Sequence, residues 1–206
     1  MAKSDKDDGQ ATLDARQSLL HAAAELFAQQ GYSATGVQQI TDAAGVNKAM
    51  LYYYFSSKED LYDALIGEAV AAVEHAVIAA EQTDLPIKER LYCFISGYLS
   101  VVTDSSQLAR ILFREVMGGG ECARQTVLDH FSNVLRRLEA VLTHAESAGD
   151  LRVIDANLLA YSLFGMATMY ISGHFLADRP LDAPALADHI VDLFLNGAVA
   201  GSRKME

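Results

Sequence analysis

The chain has 206 residues, 51% of them hydrophobic, and a formal net charge of −11. That length and apolar share suffice for one sizeable core, or for a small domain joined to a larger one. The acidic balance excludes a protein that coats nucleic acid through a broad basic face, so any DNA contact has to be local. Cys93 and Cys122 are the only cysteines, which excludes a disulfide framework and a repeated Cys-x-x-Cys zinc pair and fits a reducing cytoplasm.

In chain order, Met1 to Gln10 is charged and polar, lacks the apolar core of a secretory signal and is expected to be a disordered tail. Beyond it only three prolines occur, at 86, 180 and 184, and apolar residues recur at spacings of three and four. The class is all-α. Leu19, Ala23, Leu26 and Phe27 form a first helical stripe that stops at Gly31. Thr35 with Gln38 reads as a capping box for a second helix carrying Val37, Ile40 and Ala44 and ending at Gly45. Asn47 caps a third in which Leu51, Tyr54 and Phe55 face inward, and Ser57 with Asp60 caps a fourth. Longer stripes follow: Tyr62 to Val73, Leu91 to Val102, Leu108 to Val116 and, past Gly118-Gly119-Gly120, Leu128, Phe131, Val134, Leu135, Leu138 and Leu142. The last two helices follow Asp155 and Asp182. Leu158 to Ala177 is uncharged over a membrane-span length, but Tyr161, Ser162, Thr168, Tyr170, Ser172 and His174 interrupt it, so it is read as a buried interface helix with no membrane partner.

The segment from Gly36 to Phe55 reads helix, tight turn, helix, with Ala44-Gly45-Val46 as the turn. A second helix standing proud of such a turn can enter the major groove of double-stranded DNA, offering Lys48, Ala49, Tyr52 and Tyr53, with Tyr54 at the rim. Lys58, at the start of the fourth helix, is placed to grip a phosphate together with the free N–H groups there. The expected organisation is a tail (1–10), a three-helix helix-turn-helix domain (11–56) and a larger helical effector-binding and dimerisation domain (57–206).

Gly31-Tyr32-Ser33-Ala34-Thr35, Ile40, Ala44-Gly45-Val46, Leu51-Tyr52-Tyr53-Tyr54-Phe55 and Ser57-Lys58-Glu59-Asp60-Leu61 resemble the DNA-binding domain of the tetracycline-repressor (TetR) family. The resemblance covers roughly residues 12 to 61. It implies that the third helix reads bases through Asn47, Lys48, Ala49, Tyr52, Tyr53 and Tyr54, and that Arg16, Thr35, Gln38 and Lys58 contact or order the phosphate backbone. Gly36, Thr41 and Tyr54 depart from the family's frequent residues, which leaves the operator sequence open. By the same resemblance the chain is a cytoplasmic regulator, usually a repressor, that binds a palindromic operator.

The rest of the chain suggests a sensor. Tyr98, Phe113, Met117, Tyr161, Phe164, Met166, Met169 and Tyr170 offer aromatic and thioether surfaces to an apolar or amphipathic effector, or are simply core. Glu115 lies on an apolar stripe and reads either as a structural ion pair with Arg136 or Arg137 or as an effector contact; His174 is likewise either a satisfied interface residue or an effector contact. The nearly all-round apolar helix near 158–177, with small residues Ser162, Gly165, Ala167 and Gly173, calls for a homodimer built with the last helix (Leu186, Ile190, Leu193, Phe194). No phosphate loop, nucleophile elbow or metal-spaced cluster is visible, so no catalytic residue, metal or cofactor is expected. The competing reading keeps the fold but replaces the small molecule with a protein partner.

Overall fold

The computed structural model describes residues 4–81, 84–116, 124–151, 155–177 and 179–197. Among them every regular element is a helix: α1 (Ser4–Gln30), α2 (Val37–Ala44), α3 (Lys48–Tyr54), α4 (Lys58–Ala80), α5 (Ile87–Asp104), α6 (Ser106–Val116), α7 (Arg124–Ser147), α8 (Ala156–Ala177) and α9 (Ala183–Asn196). α1 runs back to Ser4, into the polar stretch set aside above as tail. The glycine run at 118–120 lies outside the described residues.

Local chemistry sets most of the boundaries. α2 is capped one residue later than the sequence suggests. Gly36 is its N-cap and Gln39 Oε1 accepts the Gly36 N–H at 2.8 Å, whereas Thr35 points inward. Gly45 closes α2 at φ 68°, a left-handed conformation that a side chain resists, and lets the Val46 N–H reach back to the Thr41 carbonyl at 3.0 Å. Asn47 Oδ1 accepts the Met50 N–H at 2.9 Å and starts α3. Ser57 Oγ accepts the Asp60 N–H at 3.1 Å, while the Asp60 carboxylate reaches back to Ser56. Asp155 and Asp182 cap α8 and α9 through the N–H groups of Leu158 and Ala185, as the sequence indicates.

The helices fall into two compact units. One combines α1–α3, the first half of α4 as far as Val70, α6 and the start of α7. Leu19, Phe27, Ile40, Leu51, Leu61 and Leu65 are fully buried in its core, α1 packing on α2, α3 and α6. Ile111 joins from α6 and Val127 from α7. Leu128, expected in the α7 stripe, is instead 41% exposed, because the first turn of α7 buries its neighbour in this core.

The other unit holds the second half of α4, α5, most of α7, α8 and α9. α5 packs against α8 and α9, burying Phe94, Ile95, Leu99, Leu163, Ala167 and Val191 completely. At Gly97 a Cβ would lie 2.8 Å from that of Ala76, so α4 and α5 meet at a distance only glycine allows. Arg90 is buried and donates Nε–H to the Ala80 carbonyl at 2.8 Å, satisfying the end of α4. α4 and α7 are clasped by polar pairs. Glu74 Oε1 lies 3.0 Å from His130 Nδ1 and accepts from Asn133 Nδ2 at 3.3 Å; Arg137 donates to both oxygens of Glu81 at 2.7 and 2.6 Å. The hydrogen bond from His130 chiefly holds the Glu74 carboxyl below its usual value, and Arg137 does the same for Glu81.

A carboxylate with a lowered folded-state pKa contributes stability above its unfolded value and loses it as pH falls through the folded one. Because the Glu81–Arg137 pair is partly exposed, its worth is discounted to a few tenths of a kcal/mol, about 1 kcal/mol at most. Glu81→Gln is therefore expected to melt lower than wild type at pH 7, with the gap narrowing as the pH drops below 4.5. Thermal melts across that range check this.

Candidate functional site

α3 is seven residues long, about 10 Å, the length of a probe that fits across a major groove. Leu51 anchors it at 0% exposure, and the opposite edge presents Asn47, Lys48, Ala49, Tyr52 and Tyr53 to solvent. Tyr52 and Tyr53 are 55% and 74% exposed. Two such rings side by side on a short helix are surplus to the core and set a flat, hydroxyl-tipped surface outward. Tyr54 is half-buried: it packs on the core and meets Tyr53 edge-on at 5.0 Å. Desolvation, and then Tyr53, hold its phenol above the ordinary value. The structure thus separates it from the outward pair. On α2, Gln38 is exposed and donates to Asp42 Oδ1 at 2.6 Å. Arg16 on α1 holds its guanidinium 5.5 Å from the Phe55 ring centroid.

Two expected phosphate contacts turn inward. Thr35 is 1% exposed, its hydroxyl donating to the Gly31 carbonyl at 2.7 Å and accepting from Gln30 Nε2 at 3.2 Å. Lys58 Nζ donates to the carbonyls of Tyr32 and Thr35, each at 3.0 Å, and lies 4.0 Å from the Tyr32 ring centroid. In this geometry the ammonium closes the turn between α1 and α2 by bonding the carbonyls of Tyr32 and Thr35. Gln30 and Gln39, missed at the sequence level, complete the network, Gln30 Nε2 approaching Gln39 Oε1 at 3.4 Å.

The expected effector residues do not form one group. Tyr98 and Phe164 stack at 4.6 Å in the second unit, with Phe94 at 6.3 Å from each and Phe131 edge-on to Phe164 at 4.9 Å. Phe94 and Phe131 look like ordinary core in the sequence, and only the fold brings them here. The Tyr98 hydroxyl lies 3.1 Å from Thr168 Oγ1, and burial pushes its phenol up to about 12, so it stays a neutral hydrogen-bonding group. Tyr161 and Tyr170 are 54% and 44% exposed on α8. Met169 is exposed with them, and Met166 is half-buried. His174 Nδ1 lies 2.7 Å from the Arg179 carbonyl. Phe113 and Glu115 belong to the first unit, and Met117 lies outside the described residues. Glu115 has neither expected ion pair. Arg137 holds Glu81 and Arg136 bonds Asn133, while the Glu115 carboxylate accepts the Tyr62 hydroxyl.

Two family profiles match the chain: the bacterial regulatory proteins of the tetR family over residues 19–65, and the tetracyclin repressor-like C-terminal domain over residues 84–198. The chain belongs to the TetR family. It is therefore a DNA-binding transcriptional regulator with a ligand-binding C-terminal domain, in which α2 and α3 are the helix-turn-helix. Among its relatives, the Fatty acid metabolism regulator protein of Bacillus subtilis is 25% identical over 87% of this chain and 93% of its own. The HTH-type transcriptional activator FasR of Mycolicibacterium smegmatis is 28% identical over 88% and 82%. The structure of AibR in complex with isovaleryl coenzyme A and operator DNA superposes at a TM-score of 0.70, with 27% identity over 88% of this chain and 98% of that one. No helix among the described residues is long and apolar enough to cross a membrane.

The split between Lys48 and Lys58 has separable consequences. Lys48→Ala is expected to lower the salt dependence of DNA binding by about one counterion without loss of stability. Lys58→Met is expected to destabilise the protein by about 1–3 kcal/mol, since it removes a charged donor from the Thr35 carbonyl and leaves the Tyr32 carbonyl with the Thr35 N–H alone. Salt titrations of binding and denaturant melts of both variants check this.

Proposed function

We propose that this TetR-family chain is a homodimeric repressor that binds a palindromic operator and releases it on binding an acyl-coenzyme A. The outward edge of α3 carries the DNA half of this reading: Asn47, Lys48, Ala49, Tyr52 and Tyr53 share one solvent face, backed by a fully buried Leu51. Gln38 and Arg16 are the supporting backbone contacts, and Thr35 and Lys58 hold the turn that aims α2.

The dimer is supported by the outer face of α8. Leu158, Tyr161, Met169 and Leu176 are 62%, 54%, 72% and 72% exposed, and Gly165 lies among them without a Cβ. A row of large apolar groups exposed on one helix is the kind of surface a second copy buries. The two recognition helices would then stand about 34–36 Å apart, one duplex turn.

The effector half is supported by the Phe94–Tyr98–Phe131–Phe164 cluster, an aromatic lining with one hydroxyl pair, and by two relatives, one named for fatty acid metabolism and the other bound to an acyl-coenzyme A and operator DNA. α4, which belongs to both units, is the element through which an effector would change half-site spacing. The ligand acts by binding the DNA-incompetent arrangement more tightly.

Selection of genomic fragments on the purified protein at near-physiological salt is expected to return a palindrome with half-sites one turn apart. Acyl-coenzyme A esters of increasing chain length should then release it, and Tyr53→Ala should weaken binding with the dimer intact. A folded dimer that enriches no sequence would overturn the operator assignment, and in vitro transcription from the recovered site separates repression from activation.

A further inference from the structure

A cavity of about 210 Å³ lies wholly within the first unit, walled by Phe27, Tyr62 and Ile111 and by the α1–α2 turn from Gln30 to Ala34. That is room for a compact molecule rather than for a single water. Glu115 lines it and is 2% exposed. One of its oxygens, Oε1, accepts the Tyr62 hydroxyl; the other, Oε2, has no hydrogen-bond partner among the described residues. Among the described residues Glu115 is in no ion pair. Arg114 lines the same cavity but directs its guanidinium to the carbonyls of Phe27 and Ala28, at 3.4 and 3.5 Å.

A carboxylate buried with one neutral donor is incompletely compensated, and the missing component is a donor carrying positive charge. Part of the wall is apolar and aromatic, at Phe27, Tyr62 and Ile111, which suits a short hydrocarbon chain, and part is polar, at Gln30, Ser33 and Arg114. We propose that this cavity is a binding site for a compact organic ammonium ion, its N–H groups on Glu115 Oε2 and its carbon chain against Phe27, Tyr62 and Ile111. The site is separate from the aromatic cluster of the second unit. Its occupant touches the turn whose carbonyls Lys58 holds, so its binding is linked to whatever the α2–α3 face binds.

The test titrates n-butylammonium chloride into the full chain without DNA, with sodium butanoate and sodium chloride at equal ionic strength as controls. With glutamate carboxyl groups labelled with carbon-13, one buried resonance is expected to shift saturably with butylammonium and not with butanoate. That resonance is identified by its absence from Glu115→Gln, and the thermal midpoint should rise saturably in wild type and not in this variant. Tyr62→Phe keeps the carboxylate and should keep the saturable response. No saturable shift in wild type, or an equal thermal response in Glu115→Gln, overturns the proposal. If Glu115→Gln does not fold, the wild-type resonance titration decides alone, and Tyr62→Phe assigns the signal by displacing it. Failure here leaves the operator reading intact, because no DNA is present.

Discussion

The architecture of the DNA-binding unit depends on how one irregular turn is satisfied. Between α1 and α2 the chain reverses over residues 31–36, where side chains bond the carbonyls of Gly31, Tyr32 and Thr35. Lys58, at the first position of α4, donates to the carbonyls of Tyr32 and Thr35, while Thr35 returns its hydroxyl to Gly31. The aromatic trio Phe27, Tyr32 and Tyr62 packs beneath, with centroids 4.9 to 5.7 Å apart. Polar closure and ring packing together fix the entry of α2, and through the Gly45 turn the direction of α3. A charge used in this way ties the start of α4 to the turn that precedes α2.

The net charge of −11 sharpens the same point. With Asp42 engaging Gln38 and the acidic residues Glu59 and Asp60 opening α4, the local field is poor in cations. Affinity for DNA has to come from shape more than from bulk attraction to phosphate. The second unit is built differently: a small-residue contact at Gly97 and Ala76, a packed α5–α8–α9 layer and partly exposed polar clasps from α7 to Glu74 and Glu81.

Much of this is legible in the sequence. Most helices are announced by a stripe and α8 by its uncharged length, and Gly31, Gly45, Asn47, Asp155 and Asp182 mark ends through local chemistry that acts within four residues. Contacts between distant segments are not legible. Tyr62 reads as one more apolar position on α4, and nothing local shows that its hydroxyl meets Glu115, 53 residues away. Lys58 meets its carbonyl partners 23 and 26 residues back. The α2 cap slips by one residue because a glycine N-cap carries no side-chain signal and Gln38 and Gln39 are identical neighbours. The exposure of Tyr161 and Tyr170 is not legible because a helix apolar all round does not reveal which side its own chain covers.

The brevity of α3 carries a consequence for how the protein tolerates change. A seven-residue helix has no stability of its own in water, since initiation costs more than two turns can return. Its reading edge therefore exists only while Leu51 stays seated among Leu19, Ile40 and Leu61. Natural variation that abolishes DNA recognition is accordingly not confined to the residues facing the duplex. The mutational target includes the hidden side of the unit, its buried leucines and isoleucines.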